Sequence, residues 1–129
     1  MAYPAEIRSK VVEYFNSLEL PYESVGDLIW LVRDPSRGLS HVVVLAQEDL
    51  VVVRVRVMKI PEAQNAAFFE QLLRLNVEML HGAYALEDDA VIWVDTLEFQ
   101  TMDLEEIRAS LDAAAECMVR HADRLSRYR

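Results

Sequence analysis

Apolar positions along the chain recur first at helical spacing. Ile7, Val11, Tyr14, Phe15 and Leu18 fall three and four apart behind Pro4, a residue suited to a first helical turn because it has no N–H to leave unpaired. This spacing predicts an amphipathic helix over 4–18, stopped by Pro21. The period then shortens to that of strands. Asp27–Arg33 (DLIWLVR) and His41–Ala46 (HVVVLA) are apolar on both parities, and the second is rich in β-branched residues. Leu50–Met58 (LVVVRVRVM) alternates, with Val51, Val53, Val55 and Val57 on one face and Val52, Arg54, Arg56 and Met58 on the other. Only short polar turns, Asp34–Gly38 and Gln47–Asp49, separate the three segments. They are therefore expected to form an antiparallel meander.

Helical spacing returns over Pro61–Leu80, where Phe68, Leu72, Leu75 and Met79 share one face and Phe69, Leu73 and Leu80 broaden it. A stripe of that width implies burial on more than one side, and Gly82 fits a C-terminal cap. Ala83–Leu86 and Ala90–Leu97 then read as a β-hairpin around the acidic turn Glu87–Asp89. A last helix runs from Asp103 onward on the stripe Leu104, Ile107, Leu111, Ala114, Met118, His121, Leu125, with Asp103 and Glu106 at capping-box spacing. The order α-β-β-β-α-β-β-α describes one α+β domain over residues 1–129: three helices and an antiparallel five-stranded sheet, with no repeat or linker.

The two-sided strands bear on assembly. A sheet covered on one face only should alternate cleanly between apolar and polar positions. Either helices cover both faces here or a second copy covers the open one. Three helices for five strands favour the second copy, and two-fold dimers are the commonest oligomers. Taking Arg33, Arg54, Arg56 and Asp95 as markers of the less buried face puts Ile29, Leu31, Met58, Val91 and Trp93 beside them. The expected partner or dimer interface is therefore Ile29, Leu31, Arg54, Arg56, Met58, Val91 and Trp93. A one-residue slip would invert that assignment on any strand. Trp30 and Trp93 suit a core and an interface equally.

Composition narrows the function. A chain of 129 residues with 53% hydrophobic residues has enough material for one folded core. Its formal net charge of −9 disfavours nucleic acid and anionic membrane surfaces, which call for basic patches. A single cysteine, Cys117, excludes an internal disulfide framework. The start of the sequence lacks the apolar core of a signal peptide, and no apolar run reaches the roughly 18 residues of a membrane span. The cytoplasm is the expected location.

Candidate chemistry is sparse. Three glycines form neither of the phosphate-binding patterns. His41, His81 and His121 lie apart from one another in sequence, so no local metal-ligand motif arises; Cys117 and His121, four apart in one helix, are read as structural. The acidic pairs Glu48–Asp49, Asp88–Asp89 and Glu105–Glu106 sit where turns and helix starts want acids. Asn76, alone among leucines, is read as bonding backbone near its helix end. No catalytic residue, cofactor or metal is expected.

The element order, the segment Phe68-Phe69-Glu70-Gln71-Leu72-Leu73-Arg74-Leu75-Asn76, and Ala83-Tyr84-Ala85-Leu86 followed by an acidic turn and Val91-Ile92-Trp93-Val94 resemble the YbjN-like family. That family is similar in turn to the class I type III secretion chaperones of the Tir-chaperone (CesT-like) group. The resemblance implies a homodimeric, non-enzymatic, cytoplasmic protein-binding module, chaperone-like or regulatory. It would hold a client segment on its sheet or apolar patches, by β-augmentation among other modes. Two alternatives stand beside it: a small-molecule sensor or enzyme with a pocket between sheet and helices, and a constant subunit of a larger complex.

Overall fold

Pro4 begins the first helix, α1 (Pro4–Ser17), whose buried stripe is Ile7, Val11 and Phe15. The computed structural model describes residues 3–63 and 65–128. After α1 the chain forms a strand that the sequence pattern does not announce, β1 (Tyr22–Gly26). Its sequence, YESVG, has one β-branched residue and no apolar parity, and every residue in it is exposed. It is held as a strand by pairing with β2 (Ile29–Asp34) rather than by burial. A 3₁₀ turn (Pro35–Arg37) leads to β3 (Leu39–Gln47), which hairpins into β4 (Leu50–Lys59). The sheet therefore has six strands, not five.

The second helix, α2, is regular only over Asn65–Val77, shorter than the expected 61–80. Pro61 does not start it. Ile60, just before Pro61, donates its N–H to the Asp89 carbonyl at 2.7 Å, so the chain there still runs beside the strands. Gln64, within the expected helix, lies outside the described residues. At the far end the N–H groups of Glu78 and Met79 bond back three residues to Leu75 and Asn76, the tightened closure common at helix ends. Gly82 is not the cap, because it stands beyond this turn at the entry to β5 (Ala83–Glu87). It has φ +73 and faces the Trp93 indole so closely that an added Cβ would overlap the ring.

β6 (Ala90–Glu98) pairs with both β5 and β4, all antiparallel. The sheet order is β1-β2-β3-β4-β6-β5. The last helix, α3 (Leu104–Ser126), begins on the expected cap: Asp103 Oδ1 accepts from the Glu106 N–H at 2.8 Å.

All three helices share one core on one side of the sheet. Phe15 of α1 packs edge-on to Trp30, Phe68 of α2 meets Tyr128, and α3 lies over β3, β4 and β6. The sheet contributes Trp30, Val32, Val42, Val44, Val51, Val53, Val55, Tyr84, Val91 and Trp93 to that core. Among the described residues no helix lies over the opposite face.

Candidate functional site

Strand register defines what the uncovered face presents. Leu31, Val43, Arg54, Val94 and Ala83 pair in one row across five strands, and Ile29, Leu45, Val52 and Thr96 form the next. Leu31, Val43, Leu45, Val52 and Val94 are half-buried, and Ile29 is 37% exposed. None of these six belongs to the hydrophobic core. They shield one another only along the sheet. Arg54 reaches diagonally across β6 to form an ion pair with Glu87 at the end of β5, which leaves its side chain 31% exposed. Arg56 follows on the same parity, opposite Ile92, and is exposed.

Of the interface residues expected from the sequence, the structure brings Ile29, Leu31, Arg54 and Arg56 together on this face. It places Met58, Val91 and Trp93 on the other, at 8%, 0% and 0% exposure. Two features cause the difference. The β4–β6 register shifts between Arg56 and Met58, so Val57 is an extra residue and Met58 turns inward, as a bulge does. Asp95 misled the parity of β6, because it pairs with Val53, an inward residue, and is half-buried on the helix side. Val43 and Leu45 do not stand out in the sequence because β3 is apolar on both parities; Val94 was assigned to the other face by the Asp95 marker, and Val52 shares the parity of Arg54 and Arg56 without being included in the expected interface.

A second apolar surface lies on α2. Leu73 and Val77, one helical turn apart, are 68% and 86% exposed, and Leu80 just past the helix is 97% exposed. The inner stripe Phe68, Leu72 and Leu75 is buried, so the helix is apolar on two sides and packed on one.

A cavity of about 310 Å³ opens between residues 78–81 and one face of α3, with Cys117 and His121 among its walls. A hydrogen bond of 2.7 Å joins the His121 Nδ1 to the Tyr84 hydroxyl. Burial lowers the His121 pKa, opposed by Glu78 and reinforced by Arg124 and Arg120. Burial also raises the Tyr84 phenol and pushes the Cys117 thiol up to about 11, where it stays protonated at neutral pH and is a poor nucleophile. Its Sγ donates to the Ala114 carbonyl. Glu78 at the rim is held below the usual carboxylate range by its hydrogen bond from Arg124, at 2.7 Å. The His121 Nε2 has no partner among the described residues. Among those residues no cluster of three or more His, Cys, Asp or Glu could hold a metal, and no helix is long and apolar enough to cross a membrane. The group is a hydrogen-bonded part of the core that borders a cleft, without a paired base and nucleophile.

The CesT_Tir_1 family model matches residues 5–129. In sequence, no curated protein matches. Among solved structures, YbjN from E. coli superposes with a TM-score of 0.67 at 12% identity, covering 90% of this chain and 91% of that one. The Yersinia pestis type III secretion chaperone SycH, solved with a fragment of YscM2, gives 0.65 at 17% identity over 88% and 97%. The heterodimeric ExoU–SpcU complex of the Pseudomonas aeruginosa type III secretion system gives 0.68 at 17% identity over 84% and 91%. These likenesses show a secretion-chaperone-like fold.

Proposed function

The chain belongs to the CesT_Tir_1 family, and on that premise we propose that it is a non-enzymatic, homodimeric, cytoplasmic protein-binding module, chaperone-like or regulatory, that holds a partner segment against the open face of its sheet. The observation that carries this reading is the uncovered apolar surface of two adjacent rows, Leu31, Val43 and Val94 in one and Ile29, Leu45 and Val52 in the other, outside the core. An apolar face rimmed by charge suits an interface better than water. Two of the structures it resembles, those with SycH and with ExoU–SpcU, contain a protein partner. The stripe Leu73, Val77 and Leu80 supplies a separate surface for a second copy, since a two-fold contact repeats the same patch on both sides. The cavity beside α3 supports a small-molecule alternative, and its protonated thiol and tethered imidazole favour binding over turnover.

Light scattering tests the assembly. The wild-type chain should run at twice its 14.8 kDa, and Leu73→Asp with Val77→Asp should give a folded monomer that still captures the partner. Leu31→Thr with Val43→Thr, which keeps strand propensity, should stay dimeric and lose capture. A wild-type monomer overturns the dimer, and capture indifferent to the Thr pair overturns the sheet face as the partner surface.

A further inference from the structure

The open face differs in charge from the rest of the molecule. The chain carries 22 acidic and 13 basic side chains, so most arginines have a carboxylate nearby. Arg8, Arg37, Arg74, Arg108, Arg120 and Arg124 each form an ion pair. Arg33, Arg56 and Arg127 have no such partner among the described residues, despite the excess of acid, and of these Arg33 and Arg56 lie on the sheet. Register puts both at the same end of the open face. Val32 pairs with Val42 and Val42 with Val55, so Arg33 and Arg56, each one residue beyond that row on β2 and β4, lie at the same end of the face two strands apart, with His41 between them on β3 where the β2–β3 register shifts. All three are exposed. They adjoin the apolar rows of Leu31, Val43, Leu45 and Val52. The acids of the face lie at its margins: Glu23 on the edge strand β1, Glu98 at the end of β6, and Glu87 already engaged by Arg54.

We propose that the partner held on this face is an extended polypeptide segment with an apolar stretch followed by a cluster of acidic residues, the apolar side chains lying over Leu31, Val43, Leu45 and Val52 and the carboxylates over Arg33 and Arg56. The proposal rests on the reading of the open face as the partner surface and adds the partner's chemistry. An extended chain lying on a sheet presents every second side chain to it, so a few alternate apolar residues cover the rows. A guanidinium not already paired is a two-pronged donor that matches a carboxylate. Unsatisfied cations beside apolar surface select against neutral and basic segments, which leave them unpaired or repelled.

Fluorescence anisotropy with the full chain and three labelled peptides tests it. The peptides share one alternating apolar stretch and differ only in a terminal cluster of Glu, Gln or Lys. The Glu peptide should bind about tenfold tighter than the Gln peptide at low salt, as expected for two partly exposed charge pairs, with Lys weakest. The preference should shrink as salt rises. Arg33→Glu with Arg56→Glu, both at exposed positions, should invert the ranking while the circular dichroism spectrum stays unchanged. If all three peptides bind alike and the double variant changes nothing, acidic selectivity is wrong while the partner surface stands. If no peptide binds, and Leu31→Thr with Val43→Thr also leaves native capture intact, the partner surface falls and the proposal with it. If the charge-reversed variant instead loses the dimer, the face belongs to a second copy and the proposal is overturned.

Discussion

His121 shows how little of a side chain's role its position in a stripe reveals. Its place between Met118 and Leu125 marks it as inward, and it is 1% exposed. Its partner Tyr84 is 37 residues away in sequence, on a strand that only folding brings under α3. The environment gives a pH prediction. Unfolded, the imidazole titrates near 6.5; folded, burial lowers it, with Glu78 opposing and Arg124 and Arg120 reinforcing. Below about 6.5 the unfolded chain therefore binds the extra proton before the folded one does, and stability rises with pH wherever that holds. Stability should be full above pH 6.5 and fall as pH is lowered through 6 toward the folded value. Urea midpoints between pH 7.5 and 5 would measure the slope. His121→Gln should flatten it, and an unchanged slope in that variant would assign it to another group.

Among the elements, the α2–β5 connection depends on two residues whose partners lie in another segment. Asn76 bonds backbone near the helix end, as the sequence suggests, and that backbone belongs to β5: its Oδ1 accepts from the Tyr84 N–H at 2.7 Å and its Nδ2 donates to the Tyr84 carbonyl at 3.3 Å. β5 is the last strand of the sheet, and Asn76 closes part of its open edge as a paired strand would. Asn76→Leu leaves both backbone groups without that partner and should cost about 1–3 kcal/mol, read by urea denaturation, with faster hydrogen exchange at the Tyr84 amide. An unperturbed amide would mean that water replaces the side chain without loss. Gly82 looked like a helix cap because glycine after an apolar stripe usually is one. Its real constraint is the Trp93 ring, a contact between segments. β1 was illegible for a related reason: an exposed edge strand has no apolar parity to betray it, and its pairing with β2 is made by backbone.

For the whole molecule, the decisive fact is that three helices share one face. Two residues on opposite faces of the same sheet then have opposite fates. Trp93, fully buried, should cost about 3–5 kcal/mol when cut to Ala. Ile29, on the open face, should change stability by no more than about 0.5 kcal/mol when replaced by Thr. Calorimetric melting of the two variants checks the contrast, and equal losses would mean that the open face is covered in the isolated chain. The same asymmetry leaves apolar rows, two unpaired arginines and the α2 stripe outside the core, and it is these surfaces rather than any cavity that carry the functional reading.

From the sequence alone come the α+β class, five of the six strands with their antiparallel pairing, the Asp103 cap, and the two-sided apolar character of the sheet. Each of these is written in local periodicity or in short turns. Which parity of each strand faces the helices was settled only in three dimensions. A single extra residue, Val57, turns Met58 inward, and the pairing of Arg54 with Val94 sends Asp95 and Trp93 to the side opposite the one their neighbours suggested. Strand parity has period two, so any bulge or misread marker moves a whole run of side chains to the other face. Such an error disappears only when register couples each strand to the next.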